Sequence, residues 1–204
     1  MTLTLAIIII TVAISLFAFY NQWMTRTFIF NPYRVWHSKE WWRMFSCALL
    51  HGDFFHLFIN MFVLYSFGQA VEYYYKLAFG SAADILYVLL YITSVAAANT
   101  STLFKYKNNV SYTSVGASGA VSAVVFTSIL FNPYAKIYLY GIIGLPGILL
   151  GIAYLIYSYY MSNKSSDNIN HEAHFYGAVY GILFSVVFKP MLIVHFLMQL
   201  LRLN

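Results

Sequence analysis

The sequence predicts an all-α polytopic membrane protein, a bundle of six transmembrane helices in a single domain over residues 1–204. Three observations predict it. Of the 204 residues 61% are hydrophobic and 8% are charged, against about 25% charged in a soluble domain. Apolar stretches recur along the chain at lengths near the ~20 residues that a membrane-spanning helix needs. One of them opens on Val115-Gly116-Ala117-Ser118-Gly119-Ala120-Val121, a run of tiny residues that lets helix backbones approach closely inside a bilayer.

Taken in order, the first span is 3–23, which lacks the basic leading region of a signal peptide. Residues 24–52 are long, aromatic and mixed, with Arg26, Arg34, Trp36, His37, Lys39, Glu40, Trp41, Trp42 and Arg43. Trp and Arg together suit the membrane interface, and a connection this long is rarely without structure. A long interfacial loop carrying short helices is therefore expected between spans one and two. Spans two and three are 54–75 and 82–98, and 99–114 reads as a polar loop. The fourth span, 115–131, closes at Asn132-Pro133, where proline ends a helix. A helix that short must begin inside the bilayer thickness, which puts Ser118 below the membrane surface near a helix N-terminus. The fifth span, 137–161, is weakened by Gly141, Gly144, Pro146, Gly147 and Gly151 and is expected to bend. A polar loop, 162–170, precedes the sixth span, 171–188, and the tail 190–204, with His195 and Arg202, reads as a short amphipathic surface helix.

Composition narrows the function classes. The 11 basic residues are scattered, with no run of the kind that binds nucleic acid. The single Cys47 excludes an intramolecular disulfide framework. Six spans put both termini on one side. The loops after spans one, three and five hold Arg26, Arg34, Lys39, Arg43, Lys105, Lys107 and Lys164, against Lys76, Lys136, Lys189 and Arg202 on the other side. Counting charges alone would put the first group in the cytosol, although four of those seven lie in the one long insertion.

Polar groups inside spans are functional candidates by default, and four stand out: His56, Asn60, Ser118 and His174. A serine among glycines can be a nucleophile if a base lies beside it. His56 and Asn60 are four residues apart, so they share a helix face, and each side chain can donate a hydrogen bond. His174 opens the sixth span and is followed by Gly177 and Gly181, a Gly-x-x-x-Gly that permits close approach to a small-residue neighbour such as Ser118-Gly119-Ala120. Each residue alone also fits plain interhelical hydrogen bonding; together they supply a nucleophile, a base and two donors. Rival chemistries are weaker. His171-Glu172-Ala173-His174 has the wrong spacing for a zinc-protease helix, which leaves a metal shared by His56, His171 and His174 as an open alternative. Asp53, Asp84 and Asp167 lie at span ends, which argues against an aspartyl protease. A transporter built on broken helices would want ionisable groups near the midplane, and the spans lack acidic groups there.

From Trp42 to Gly181 the chain resembles the rhomboid family of intramembrane serine proteases. The residues that carry the resemblance are Trp42-Arg43, the His-x4-His-x3-Asn pattern of His51, His56 and Asn60, Gly68 with Glu72, Gly116-Ala117-Ser118-Gly119, and Ala173-His174 with Gly177 and Gly181. The resemblance implies a six-helix membrane bundle with a water-filled site open to the side away from the cytosol, hence cytosolic termini in the plasma membrane. It implies a Ser118–His174 dyad, an oxyanion site of His56, Asn60 and the Ser118 backbone N–H, and room at Gly116 for the substrate backbone. Ala117, Gly119, Gly177, Gly181 and His51 would support the site. No cofactor or metal is implied, and the partners are transmembrane protein substrates and the bilayer. The chain departs from well-known bacterial members at Ser122, where they carry an aromatic residue that packs on the histidine. The alternatives are a non-catalytic relative that binds client helices, or a small transporter.

Overall fold

The computed structural model describes residues 1–139, 142–162, 164 and 169–201. The expectations that rest on Gly141, Asp167, Arg202, the end of the tail and most of the 162–170 loop lie outside the described residues.

Helix α1, Leu3–Tyr20, stops short of residue 23. Asn21 leaves the helical region and its side chain accepts the Met24 N–H at 3.1 Å, which starts α2, Gln22–Phe28; a short polar side chain at a helix start satisfies an amide that has no partner within the helix. Asn31 does the same for α3, Pro32–His37, where proline takes the first position. Helix α4, Arg43–Ser46, and a 3₁₀ turn, Cys47–Leu49, complete the segment, which therefore carries the expected short helices. Arg43 is buried in it: Nη1 donates to the carbonyls of Arg26 and Ile29, and Nε pairs with Glu40.

Asp53 caps α5, Phe54–Phe79, by accepting the His56 N–H at 2.7 Å. Gly80, at φ 55°, ends it, a conformation open to glycine. A 3₁₀ turn, Gly80–Ala82, leads into α6, Ala83–Tyr106. The Tyr75 and Tyr87 ring centroids lie 6.5 Å apart, whereas twelve residues of straight helix would separate them by about 18 Å. So α5 and α6 fold back on each other. Helix α6 continues through residues 99–106, which the sequence reads as loop. Its polar residues there are satisfied by protein: Asn99 donates to the Met44 carbonyl at 3.2 Å, and Thr102 pairs with Asn170.

Helix α7, Ser118–Phe131, is the centre of the bundle, with twelve of its 14 residues buried; it packs against α5, α6, α8, Gly147–Ser162, α9, His171–Phe188, and α10, Met191–Leu201. The described residues 137–139 and 142–146 are not helical, contrary to the expected fifth span. They form an antiparallel hairpin, β1 Lys136–Leu139 and β2 Ile143–Pro146, pairing Lys136 with Pro146 and Leu139 with Ile143. Gly144 and Pro146 disfavour helix, and α8 starts at Gly147. Helix α9, His171–Phe188, occupies the expected stretch, and α10 follows after a bend of 115°.

Among the described residues, two helical stretches can cross a membrane by length and composition, Leu3–Tyr20 and Phe54–Tyr106, or three if α9 with α10 counts as one. The second of these contains the α5–α6 turn. Helices α7 and α8 have 14 and 16 residues, about 21 and 24 Å of rise, short of a ~30 Å hydrocarbon core. The polarity is inverted relative to a soluble bundle. Phe55, Phe58 and Phe62 on α5, Ile85 and Ile92 on α6, and Ile152 and Ile156 on α8 face outward, while Thr4, Thr11, Ser15, Ser94, Thr102, Thr127 and Ser185 are buried. Such an extensive apolar exterior marks a surface made for lipid: the chain is a membrane protein.

Candidate active site

The approach to Ser118 is held by backbone. Phe30 and Ser114 exchange N–H···O bonds of 3.1 and 3.0 Å, and the Gly116 N–H donates to the Cys47 carbonyl at 3.0 Å. Gly116 has φ 120°, a value that L side chains rarely adopt. The turn delivers Ser118 as the first residue of α7, beside amides that have no partner within the helix. Ala117, next to it, is fully packed.

His174 comes from α9, one turn after Asn170, whose side chain accepts the Ala173 N–H at 3.0 Å. Ser118 Oγ and His174 Nε2 are 2.7 Å apart. Glycines make that approach possible. A Cβ on Gly177 would fall on the Gly119 carbonyl, one on Gly181 on the Ala123 carbonyl, and one on Gly119 would meet Ala98 at 2.5 Å and the Ala173 oxygen at 3.2 Å. Helices α7 and α9 thus touch backbone to backbone just below Ser118.

His56 and Asn60 occupy one face of α5. The His56 ring lies against Gly116: a Cβ there would stand 2.9 Å from Cε1, 3.0 Å from Nε2 and 3.9 Å from Ser118 Oγ. On the side where a Cβ would project, Gly116 therefore faces this imidazole. Asn60 is buried and donates to the His56 carbonyl at 3.0 Å; its amide carries a second N–H. His51 packs edge-on to His56, with ring centroids 5.0 Å apart. Ser15 donates to the Leu49 carbonyl at 2.7 Å and lies 2.9 Å from His51 Nδ1, so the proton of a neutral His51 belongs on Nδ1 and Nε2 is a buried lone pair. Burial, with a smaller contribution from His56, pushes the His51 pKa down to about 3 against the pull of Asp53.

Beside Ser118 is a cavity of about 20 Å³, lined among others by Cys47, Asn99, Ser114, Gly116 and Asn170, room for a single water molecule. Burial pushes the Cys47 thiol up to about 12, so it remains an unreactive filler. Among the described residues, no three of His, Cys, Asp and Glu stand close enough to share a metal, so the trio of His56, His171 and His174 does not assemble.

The sequence alone did not reveal Tyr154. Its ring lies 6.2 Å from that of His174 with 17° between the planes, and its hydroxyl is 2.8 Å from Ser122 Oγ. A signal was available: Gly147, Gly151 and Ser158 are the buried residues of α8, and Tyr154 falls in the same helical stripe.

These features define a class: a helical membrane protein with a hydrogen-bonded serine–histidine pair where two buried helices meet. The rhomboid domain profile matches residues 38–191, and the chain belongs to the rhomboid family. It is 32% identical over 150 residues to YdcA of Bacillus subtilis (strain 168), named as a candidate rhomboid protease, covering 72% of this chain and 67% of that protein. It is 29% identical over 143 residues to the mitochondrial RHOMBOID-like protein 12 of Arabidopsis thaliana, covering 66% of this chain and 43% of that protein. The match thus spans less than half the length of the Arabidopsis relative.

Proposed function

We propose that this protein is an intramembrane serine endopeptidase that cuts membrane-anchored proteins in or near a transmembrane segment. In this reading Ser118 Oγ attacks the scissile carbonyl while His174 Nε2 takes its proton, and His174 then returns that proton to the departing amine. Water then adds to the acyl carbon while His174 takes its proton, and the bond to Ser118 Oγ breaks as His174 gives that proton to Oγ. His56, Asn60 and the Ser118 N–H are the donors for the developing oxyanion. Helices α1, α5, α6, α7, α8 and α9 are the six crossings of a multi-pass bundle, with cytosolic termini in the plasma membrane; a reporter fused after Asn204 that reads an external C-terminus would refute that topology.

The observation that carries this reading is the 2.7 Å Ser118–His174 contact. In a non-catalytic binder of client helices, or a transporter, the same contact would serve only as an interhelical hydrogen bond and would leave Ser118 unreactive. The test is covalent labelling with a fluorophosphonate, in which Ser118 Oγ displaces fluoride from phosphorus. The expected result is one adduct on Ser118, absent from Ser118→Ala and His174→Ala. A folded wild-type protein that takes no label overturns the enzyme.

A further inference from the structure

Tyr154 is held on three sides at the candidate site. Its face lies nearly parallel to His174, its hydroxyl pairs with Ser122, and its ring meets that of Phe126 at 5.9 Å. Ser122 and Phe126 lie one and two turns beyond Ser118 on α7, and both are buried. Toward α7, α8 presents tiny groups on either side of it: Gly147 packs on Ile129 and Ile137, and Gly151 on Ile129 and Phe126, while Tyr157 and Tyr159 meet His171 and Phe175 of α9. Tyr154 is thus the α8 side chain that lies against the His174 ring and is tied to α7.

We propose that Tyr154 is the positioning residue of His174, that Ser122 is its tether, and that the orientation of the histidine is therefore set from α8 and not from the helix that carries Ser118. This rests on the Ser118–His174 reading above. An imidazole serves as base only while Nε2 points at the serine, and a parallel ring against its face restricts rotation about its side-chain torsion. When the imidazole takes the serine proton it becomes a cation, and the tyrosine π-face stands near the ~6 Å range at which a cation is stabilised. The Ser122 hydroxyl matters because it fixes the height of the tyrosine ring on α7. A small residue at 122 is what leaves room for a ring arriving from α8, so the two positions form one device. Since α8 carries the ring, the site is competent only while α8 is docked on α7.

The test compares fluorophosphonate labelling of wild type, Tyr154→Ala, Tyr154→Phe, Ser122→Ala and the exchange Ser122→Tyr with Tyr154→Ser, separating maximal labelling rate from probe affinity and recording thermal unfolding in detergent. Misplacing a base can lower rate on the order of 10²-fold, so Tyr154→Ala should lose that much in maximal rate with probe affinity unchanged. Tyr154→Phe and Ser122→Ala each remove one end of the same hydrogen bond. Each should lose about fivefold, as expected for one neutral bond, and their combination should lose no more than either alone. The exchange should recover rate relative to Tyr154→Ala. A folded Tyr154→Ala with wild-type rate overturns the proposal, as does a loss confined to probe affinity or to thermal stability. If Tyr154→Ala does not fold, additive losses in the Phe and Ala pair overturn it. A wild-type protein that takes no label sinks the enzyme reading, whereas a labelling wild type with indifferent variants sinks this proposal alone.

Discussion

Glu72 of α5 caps α1. Its carboxylate accepts the Thr4 N–H at 2.7 Å and the Leu3 N–H at 3.3 Å. The first amides of a helix lack partners within the helix, and a negative group there also meets the positive end of the helix dipole. Thr4 pairs in turn with the Tyr87 hydroxyl at 2.7 Å, and both crowd Gly68. The Gly68–Glu72 motif is thus a joint between α1, α5 and α6, far from Ser118 in the chain. Hydrogen bonds to a charged group are worth about 1.5–3 kcal/mol each. Glu72→Ala should lower stability by about that much, and Glu72→Gln by less; thermal unfolding in detergent checks both, and labelling per folded molecule should not change.

The proposed oxyanion donors predict a graded loss. One such donor is worth roughly 10²–10³ in rate, so His56→Ala and Asn60→Ala should each lose that much in substrate cleavage. Because Asn60 also donates to the His56 carbonyl, the double variant should lose less than the product of the singles. Wild-type cleavage by either folded single variant removes that residue from the oxyanion site.

The α7–α9 contact predicts that Gly177→Ala is far more harmful than its single methyl suggests. The added carbon lands on a main-chain carbonyl, which cannot rotate aside as a side chain would. Overpacking of this kind costs about 1–3 kcal/mol, and here the relief is separation of the strip that sets the Ser118–His174 distance. Both unfolding temperature and labelling rate should fall. A Gly177→Ala protein with both intact would mean that the helices have slack at this level.

His51 predicts an acid limb in stability. Its pKa is about 3 in the fold and about 6.5 in the unfolded chain. Above the unfolded value both states are neutral and the group contributes no pH dependence. Between the two values the unfolded state binds a proton that the folded state does not, so stability falls as pH falls, by up to about 1.4 kcal/mol per pH unit. Unfolding measured from pH 7 to 4 should show this slope, and His51→Gln should flatten it. An unchanged slope in the variant would place the acid sensitivity elsewhere.

Periodic apolar length made much of the fold legible. Helix α9 spans His171–Phe188 as its pattern requires, and α5 starts where Asp53 offers a cap. The end of α6 was not legible, because Asn99 and Thr102 look like loop residues until Met44 and Asn170 are placed beside them. Nor was the hairpin before α8 legible, since Gly144 and Pro146 announce a break in a helix but not what replaces it. At the site, Ser118, His174, His56 and Asn60 could be singled out because polar groups are rare in such spans. Tyr154 is harder to single out, since only its place in the stripe of Gly147, Gly151 and Ser158 distinguishes it among 19 tyrosines, and its partner lies 32 residues away.

The strap between residues 30 and 47 and the segment before Ser118 is made of peptide groups: Phe30 with Ser114, and Cys47 with Gly116. Bonds of that kind are blind to side-chain identity. The stretch that fastens the Ser118 turn is therefore free to diverge in its outward residues, acquiring a different lipid preference, while the shape it imposes is carried by the main chain.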